Sequence, residues 1–78
     1  MPRYFVDTSD DDLFVEDEDG QELAGANDAR RLALSVLPDM AREKMPNGDR
    51  RSFLAIVRDE GGRVVYRATL TLRGEWTR

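Results

Sequence analysis

Histidine and cysteine are both missing from this 78-residue chain, and these two absences exclude the most chemistry. Without cysteine there is no disulfide, thiol nucleophile or thiolate ligand. Without histidine there is no imidazole general base and none of the usual zinc or haem sites. Ser9, Ser35 and Ser52 therefore lack the base that activates a hydroxyl, and the single lysine, Lys44, falls on the polar end of a predicted helix. No glycine-rich phosphate-binding pattern and no H-E-x-x-H occurs. Carboxylates are plentiful, but paired-carboxylate catalysis needs a walled cleft that raises one pKa. A chain this short, burying only about 60% of its unfolded surface, has little wall to build one. The expectation is a non-enzymatic protein with no cofactor.

Long apolar runs are missing too: none approaches the roughly 18 residues that a membrane span requires. The opening M-P-R-Y-F-V-D turns acidic at Asp7 and lacks the apolar stretch of a signal peptide. A cytoplasmic, single-domain protein over residues 1–78 is therefore expected. Basic residues are absent between Arg3 and Arg30, where ten acids stand, whereas Arg30 to Arg78 carries eleven basic residues against six acids. The chain is electrically two-ended. Its acidic and basic parts can neutralise each other within one molecule or between two copies, and charge alone does not choose.

Two aromatic and β-branched runs, Arg3 to Asp7 and Leu13 to Asp17, flank the polar T-S-D-D-D and predict a hairpin. Asn27 or Asp28 then caps a helix whose apolar residues, Ala29, Leu32, Ala33, Val36, Leu37, Met40 and Ala41, fall on one stripe. Pro38 interrupts the stripe without shifting its register, so it either kinks one helix or separates two. Met45-Pro46-Asn47-Gly48 stops the helix. From Ser52 the period changes to two. Phe53 to Val57 is a nearly continuous apolar run, as in a central strand with both faces at least partly covered. The last run alternates, with Val64, Tyr66, Ala68, Leu70 and Leu72 on one side and Val65, Arg67, Thr69, Thr71 and Arg73 on the other.

The stretch V-E-D-E-D-G-Q-E-L (15–23) raises the choice between a cation loop and a turn. An EF-hand register with Gly20 in sixth place puts Val15 and Ala26 at the first and twelfth ligand positions, where oxygen is required. Its echo V-R-D-E-G-G-R-V-V (57–65) lies between two strong strands, where a glycine supplies the positive φ of a hairpin turn. The turn reading is preferred. At most weak divalent cation binding is expected at Asp10-Asp11-Asp12 and Asp17 to Asp19.

These runs predict a two-layer α+β domain, ββαββ, with a four-stranded, mostly antiparallel sheet and the helix on one face; the strand order does not follow from the sequence. The expected core is Phe5, Phe14, Val15, Leu32, Val36, Met40, Phe53, Ile56, Tyr66, Leu70 and Leu72. The outward row of the last strand leaves a candidate interaction surface for a protein partner or a second copy: Arg58, Arg67, Thr69, Thr71 and Arg73, with Leu34 at the margin of the helix stripe and Trp76. Trp76 reads first as an aromatic sealing the core and second as an exposed anchor. The alternative is a small regulatory nucleic-acid binder using Arg50, Arg51, Arg58, Arg67 and Arg73. Against it, the outward row has no aromatic on which bases could stack, and the acidic end repels phosphate.

The segments M-P-R-Y-F-V-D, D-E-D-G-Q-E-L, A-R-R-L-A-L, L-P-D-M-A-R, P-N-G-D-R-R-S-F, V-R-D-E-G-G-R-V-V-Y-R-A-T-L-T-L-R and E-W, in this order, span essentially the whole chain. Together they resemble a family of small proteins of rhizobial and related alphaproteobacteria, often beginning M-P-R-Y-F-F-D and classed as a domain of unknown function. Val6 stands where many relatives have phenylalanine. T-S-D-D-D stands where relatives often have histidine and glycine, so a histidine-based role of that loop would not transfer. The resemblance implies a compact bacterial cytosolic domain and supplies no activity, cofactor or catalytic residue.

Overall fold

The run R-Y-F-V-D-T-S forms β1 (Arg3–Ser9) in the computed structural model, which describes residues 1–44 and 49–77. β2 (Phe14–Val15) and β3 (Gln21–Glu22) follow, then α1 (Ala26–Lys44), β4 (Arg50–Arg58) and β5 (Val64–Arg73). β1 pairs with β4 on one side, and on the other with β2 at its end and β3 at its start. β4 pairs with β5, and all these pairings are antiparallel. The spatial order is therefore an interrupted edge strand, β1, β4 and β5. The α+β class, the single helix and the antiparallel sheet are as expected. The second strand of the first hairpin is instead two short pieces. Since β3 and β4 are both antiparallel to β1, they run parallel to each other, and α1 carries the chain over β1 between them.

The helix starts earlier than its polar residues suggested. The Asp28 and Ala29 N–H groups both donate to the Gly25 carbonyl, which makes Gly25 the N-cap and leaves Asn27 and Asp28 inside the first turn. Glycine is tolerated at that position, and the Asp28 charge favours the positive end of the helix dipole. One continuous helix passes through Pro38. The expected stop at Met45 to Gly48 lies outside the described residues.

Ala29, Ala33 and Leu37, spaced by four, are buried against Phe53, Ala55 and Val57 of β4 and Ala68 of β5. Four of these seven are alanine, so helix and sheet approach closely and Phe53 is the one large ring in the centre. Tyr4, Val6, Leu23, Val36, Met40, Ala41 and Tyr66 pack around it, half-buried.

Several expected core residues lie elsewhere. A helix about 10 Å across covers roughly two strands spaced about 4.8 Å apart, so the flanks of a four-strand sheet stay open. Phe14 and Val15, on the interrupted edge, are 55% and 50% exposed, and Leu70 on the opposite edge is 38% exposed. Phe5 and Ile56 are half-buried but pair with Arg58 and Asp7 on the face away from the helix. Tyr4 and Val6 take the inward places on β1. Leu32 and Leu72 are half-buried.

Candidate interaction surface

Backbone donors at three places on the inner strands lack a ladder partner, and carboxylates of the acidic segment and of the β4–β5 turn accept them. Between β2 and β3 the Val6 N–H would face a gap; it donates to Asp17 Oδ2 at 3.1 Å. Where β4 runs past the end of β1, the Ser52 N–H donates to Asp11 Oδ2 at 3.3 Å. At the other end the Arg3 N–H donates to Glu60 Oε1 at 2.8 Å. A backbone N–H held from water without an acceptor costs stability; the Val6 bond is part-buried and the other two are exposed, so Asp17 does most of the work of missing strand.

The same side chains also close turns. Asp17 Oδ1 accepts the Asp19 and Gly20 N–H groups at 3.2 and 3.0 Å. Asp59 Oδ1 accepts those of Gly61 and Arg63 at 3.0 and 2.9 Å. In both turns the glycine three residues after the aspartate has a positive φ, 67° at Gly20 and 83° at Gly62. The two echoed motifs are thus one device. Asp10 Oδ1 caps a third turn, accepting the Asp12 and Leu13 N–H groups at 2.7 and 2.9 Å. Among the described residues no three acidic side chains gather as a metal site.

Two arginines of the candidate set are clamped by these acids. Asp7, 4% exposed, receives Arg58 Nε at 2.6 Å on Oδ2 and Arg58 Nη2 at 3.0 Å on Oδ1. Its Oδ1 also accepts the Asp17 N–H at 2.9 Å. Arg58 Nη2 donates in addition to the Asp17 carbonyl at 3.0 Å, and its guanidinium lies 4.9 Å from the centre of the Phe5 ring. Burial alone would push the Asp7 carboxyl up. The Arg58 hydrogen bonds, the Asp17 N–H and the Arg58 charge outweigh it and hold the group below the ordinary 3.8. Burial also acts upward on Asp17, yet the N–H groups of Gly20, Val6 and Asp19 prevail over it and over the Asp7 charge, so its pKa is likewise lowered. The hydrogen bond to Asp7 raises Arg58. Arg51 is drawn 2.9 Å from Asp12 and 3.6 Å from Asp10, its side chain 10% exposed. Arg51 and Arg58 of the basic part are thus paired with acids of the same molecule.

What remains open is the sheet face away from the helix. Arg67, Thr69, Thr71 and Arg73 of β5 are all exposed there. Their cross-strand neighbours on β4 are Ile56, Leu54, Ser52 and Arg50; Ile56 is expected in the core, Arg50 in the nucleic-acid set, and Leu54 and Ser52 in neither. The alternation within Phe53 to Val57 carried the signal: if residues 53, 55 and 57 face the helix, Leu54 and Ile56 must face away. Phe14, Ser9, Leu54 and Thr69 form one row across this face. Arg58 belongs to the face by position, but it is held down by Asp7 rather than displayed. Leu34, 39% exposed, is on the helix layer and does not join the surface. Trp76 is 94% exposed and does not seal the core.

The backbone of β5 is open as well. The Gly74 N–H donates to the Asp49 carbonyl at 2.7 Å. Since N–H and C=O directions alternate along a strand, Tyr66, Ala68, Leu70 and Leu72 direct theirs to β4. Arg67, Thr69, Thr71 and Arg73 direct theirs to the free edge.

No helix among the described residues is long and apolar enough to cross a membrane. No curated protein and no solved structure matches the chain. One family model does, and its match, residues 3–71, opens on the first residue of β1 and closes within β5, taking in both Asp–Gly turns and the clamp: the chain belongs to the family described as Domain of unknown function (DUF6894).

Proposed function

We propose that this chain is a non-enzymatic cytoplasmic interaction module that binds another protein or its own copy through the free edge of β5 and the outer sheet face. The observation that carries the reading is the unequal treatment of the two sheet edges. The β2/β3 edge is cut into two-residue pieces by the Asp17–Gly20 turn and surrounded by carboxylates, both of which block strand addition. The β5 edge is ten residues long, without proline or lysine, and its outward N–H and C=O groups are unpaired among the described residues. An edge of this kind is where an added strand docks. The test is purification of the tagged chain from bacterial cells, with light scattering on the eluate. A stoichiometric protein or a dimer supports the reading; a monomer with no protein attached overturns it.

A nucleic-acid reading keeps one favourable observation. Arg50, Arg67 and Arg73 are unpaired among the described residues and share the outer face. Arg51 and Arg58, however, are neutralised by Asp10, Asp12 and Asp7, and loss of two of five phosphate contacts weakens both affinity and salt dependence. Nucleic acid surviving moderate salt in the same eluate would promote this reading; no retention at low salt removes it.

A further inference from the structure

We infer that the partner on the β5 edge is a second copy of this chain, joined by antiparallel β5–β5 pairing about a twofold axis at Thr71. This inference rests on the interaction reading and names its partner. A head-to-tail arrangement, β5 on the β2/β3 edge of the next copy, is ruled out by the two-residue pieces at that edge and would leave an open chain of molecules. Pairing of β5 with itself closes on two copies. It also places the acid-rich β2/β3 edges at the two far ends of the joined sheet, which matters for a chain of net charge −4.

The register follows from direction and charge. Only pairings that set odd residues against odd residues bring outward N–H and C=O groups together. Centred on Leu70, such a pairing sets Arg67 against Arg73 of the second copy, a like-charge pair that is destabilising; centred on Thr69, it sets Arg67 against Thr71 and Arg73 against Val65, which gives neither arginine an opposite charge. Centred on Thr71, it sets Arg67 against Glu75 of the second copy and Arg73 against Thr69. Glu75 and Trp76 lie beyond the end of β5 at Arg73, so this register requires the strand to lengthen through Gly74 to Trp76 on pairing; Glu75 already lies beside Arg50 and Arg73 of the outer face, lining a shallow concavity with them and Gly74. On the helix-side face the same centre sets the exposed Leu70 against Leu72 and Tyr66 against Trp76, so that the tryptophan left 94% exposed gains an aromatic neighbour. Each of these cross-strand pairs occurs twice by symmetry, and Thr71 meets its own copy once, on the axis.

The chain lacks cysteine, so single cysteines report the register directly. Thr71→Cys meets its own copy at the axis, within the Cα separation of about 5.5 Å that a disulfide spans. Thr69→Cys stands opposite residue 73 and is out of reach of its copy. Sedimentation of the unmodified chain should give twice the 8.9 kDa chain mass, and mild oxidation should cross-link Thr71→Cys and leave Thr69→Cys single. Arg67→Glu should weaken the dimer about tenfold or more, and adding Glu75→Arg should restore it. Circular dichroism of each variant separates loss of pairing from loss of fold. Cross-linking through Thr69→Cys, or a folded monomer at high micromolar concentration, overturns the inference. A monomer that carries a stoichiometric foreign protein would do so while leaving the interaction reading intact; a monomer without one would remove both.

Discussion

Asp7 and Arg58 face each other across β1 and β4 with 6% and 23% of their side chains exposed, and their value lies in being a pair. Removing one partner leaves the other charge under-solvated, whereas replacing both with apolar groups of similar shape removes the unpaired charge and leaves only the Asp17 N–H and carbonyl without their partners. Asp7→Ala should therefore cost about 3 kcal/mol in urea denaturation, and Asp7→Leu with Arg58→Met should recover part of it, the rest being the lost Asp17 backbone bonds; a single-variant loss under about 1 kcal/mol would show the clamp to be dispensable. The two turn glycines make a second comparison. Each has a positive φ, which costs an alanine about 1–2 kcal/mol. At Gly62 a Cβ meets nothing within 4 Å, but at Gly20 it would come within 2.7 Å of the Phe5 ring and 2.8 Å of the Tyr4 carbonyl oxygen. Gly62→Ala should lose only the conformational term and Gly20→Ala about 3 kcal/mol or more, measured by thermal unfolding. Equal losses would mean that the β1 contact yields.

At the scale of the element, α1 was the most legible part of the sequence, because a stripe at spacing three and four needs no knowledge of what it packs against. Its start was misread since Asn27 and Asp28 are strong caps, yet the Gly25 carbonyl receives the first bonds. Pro38 proved compatible with a single helix. Its missing N–H frees the Leu34 carbonyl, and both residues are on the solvent side, where water can replace the lost bond. Pro38→Ala should stabilise the fold by about 1–2 kcal/mol, the helix-interior gain less the unfolded-state entropy that proline removes; a destabilised variant would show that a proline-induced bend fits α1 to the sheet. The β5 alternation was also readable, from Tyr66, Ala68, Leu70 and Leu72 inward to Arg67, Thr69 and Thr71 outward. The interrupted edge strand was not. A turn inserted into a strand leaves the same aromatic and β-branched runs on either side as an ordinary hairpin does.

Across the whole molecule, the carboxylates make stability depend on acid. Asp7 and Asp17 have folded-state pKa values lowered from the ordinary 3.8. Their contribution is therefore complete above the unfolded value and is lost as pH falls through the depressed folded values. The melting temperature should be flat above about pH 5 and fall below about pH 4, where the unfolded chain takes up protons first. Asp7→Leu with Arg58→Met should fall less steeply. A melting temperature unchanged down to pH 2 would contradict the assigned hydrogen bonds.

The sequence by itself determined the α+β class, the inward stripe of the helix, the inward row of the last strand, both glycine turns and the exclusion of cysteine and histidine chemistry. These are local properties, written in spacing and residue type. Only the tertiary structure decided that the acids serve as ladder acceptors and arginine clamps, because Asp7 meets Arg58, and Asp12 meets Arg51, only once β1 and its following loop lie along β4. It likewise decided which side of Phe53 to Val57 is covered, since one helix is too narrow for four strands. It decided too that β5, rather than the acidic hairpin, is the open edge, because an edge is defined by the strand that is not beside it.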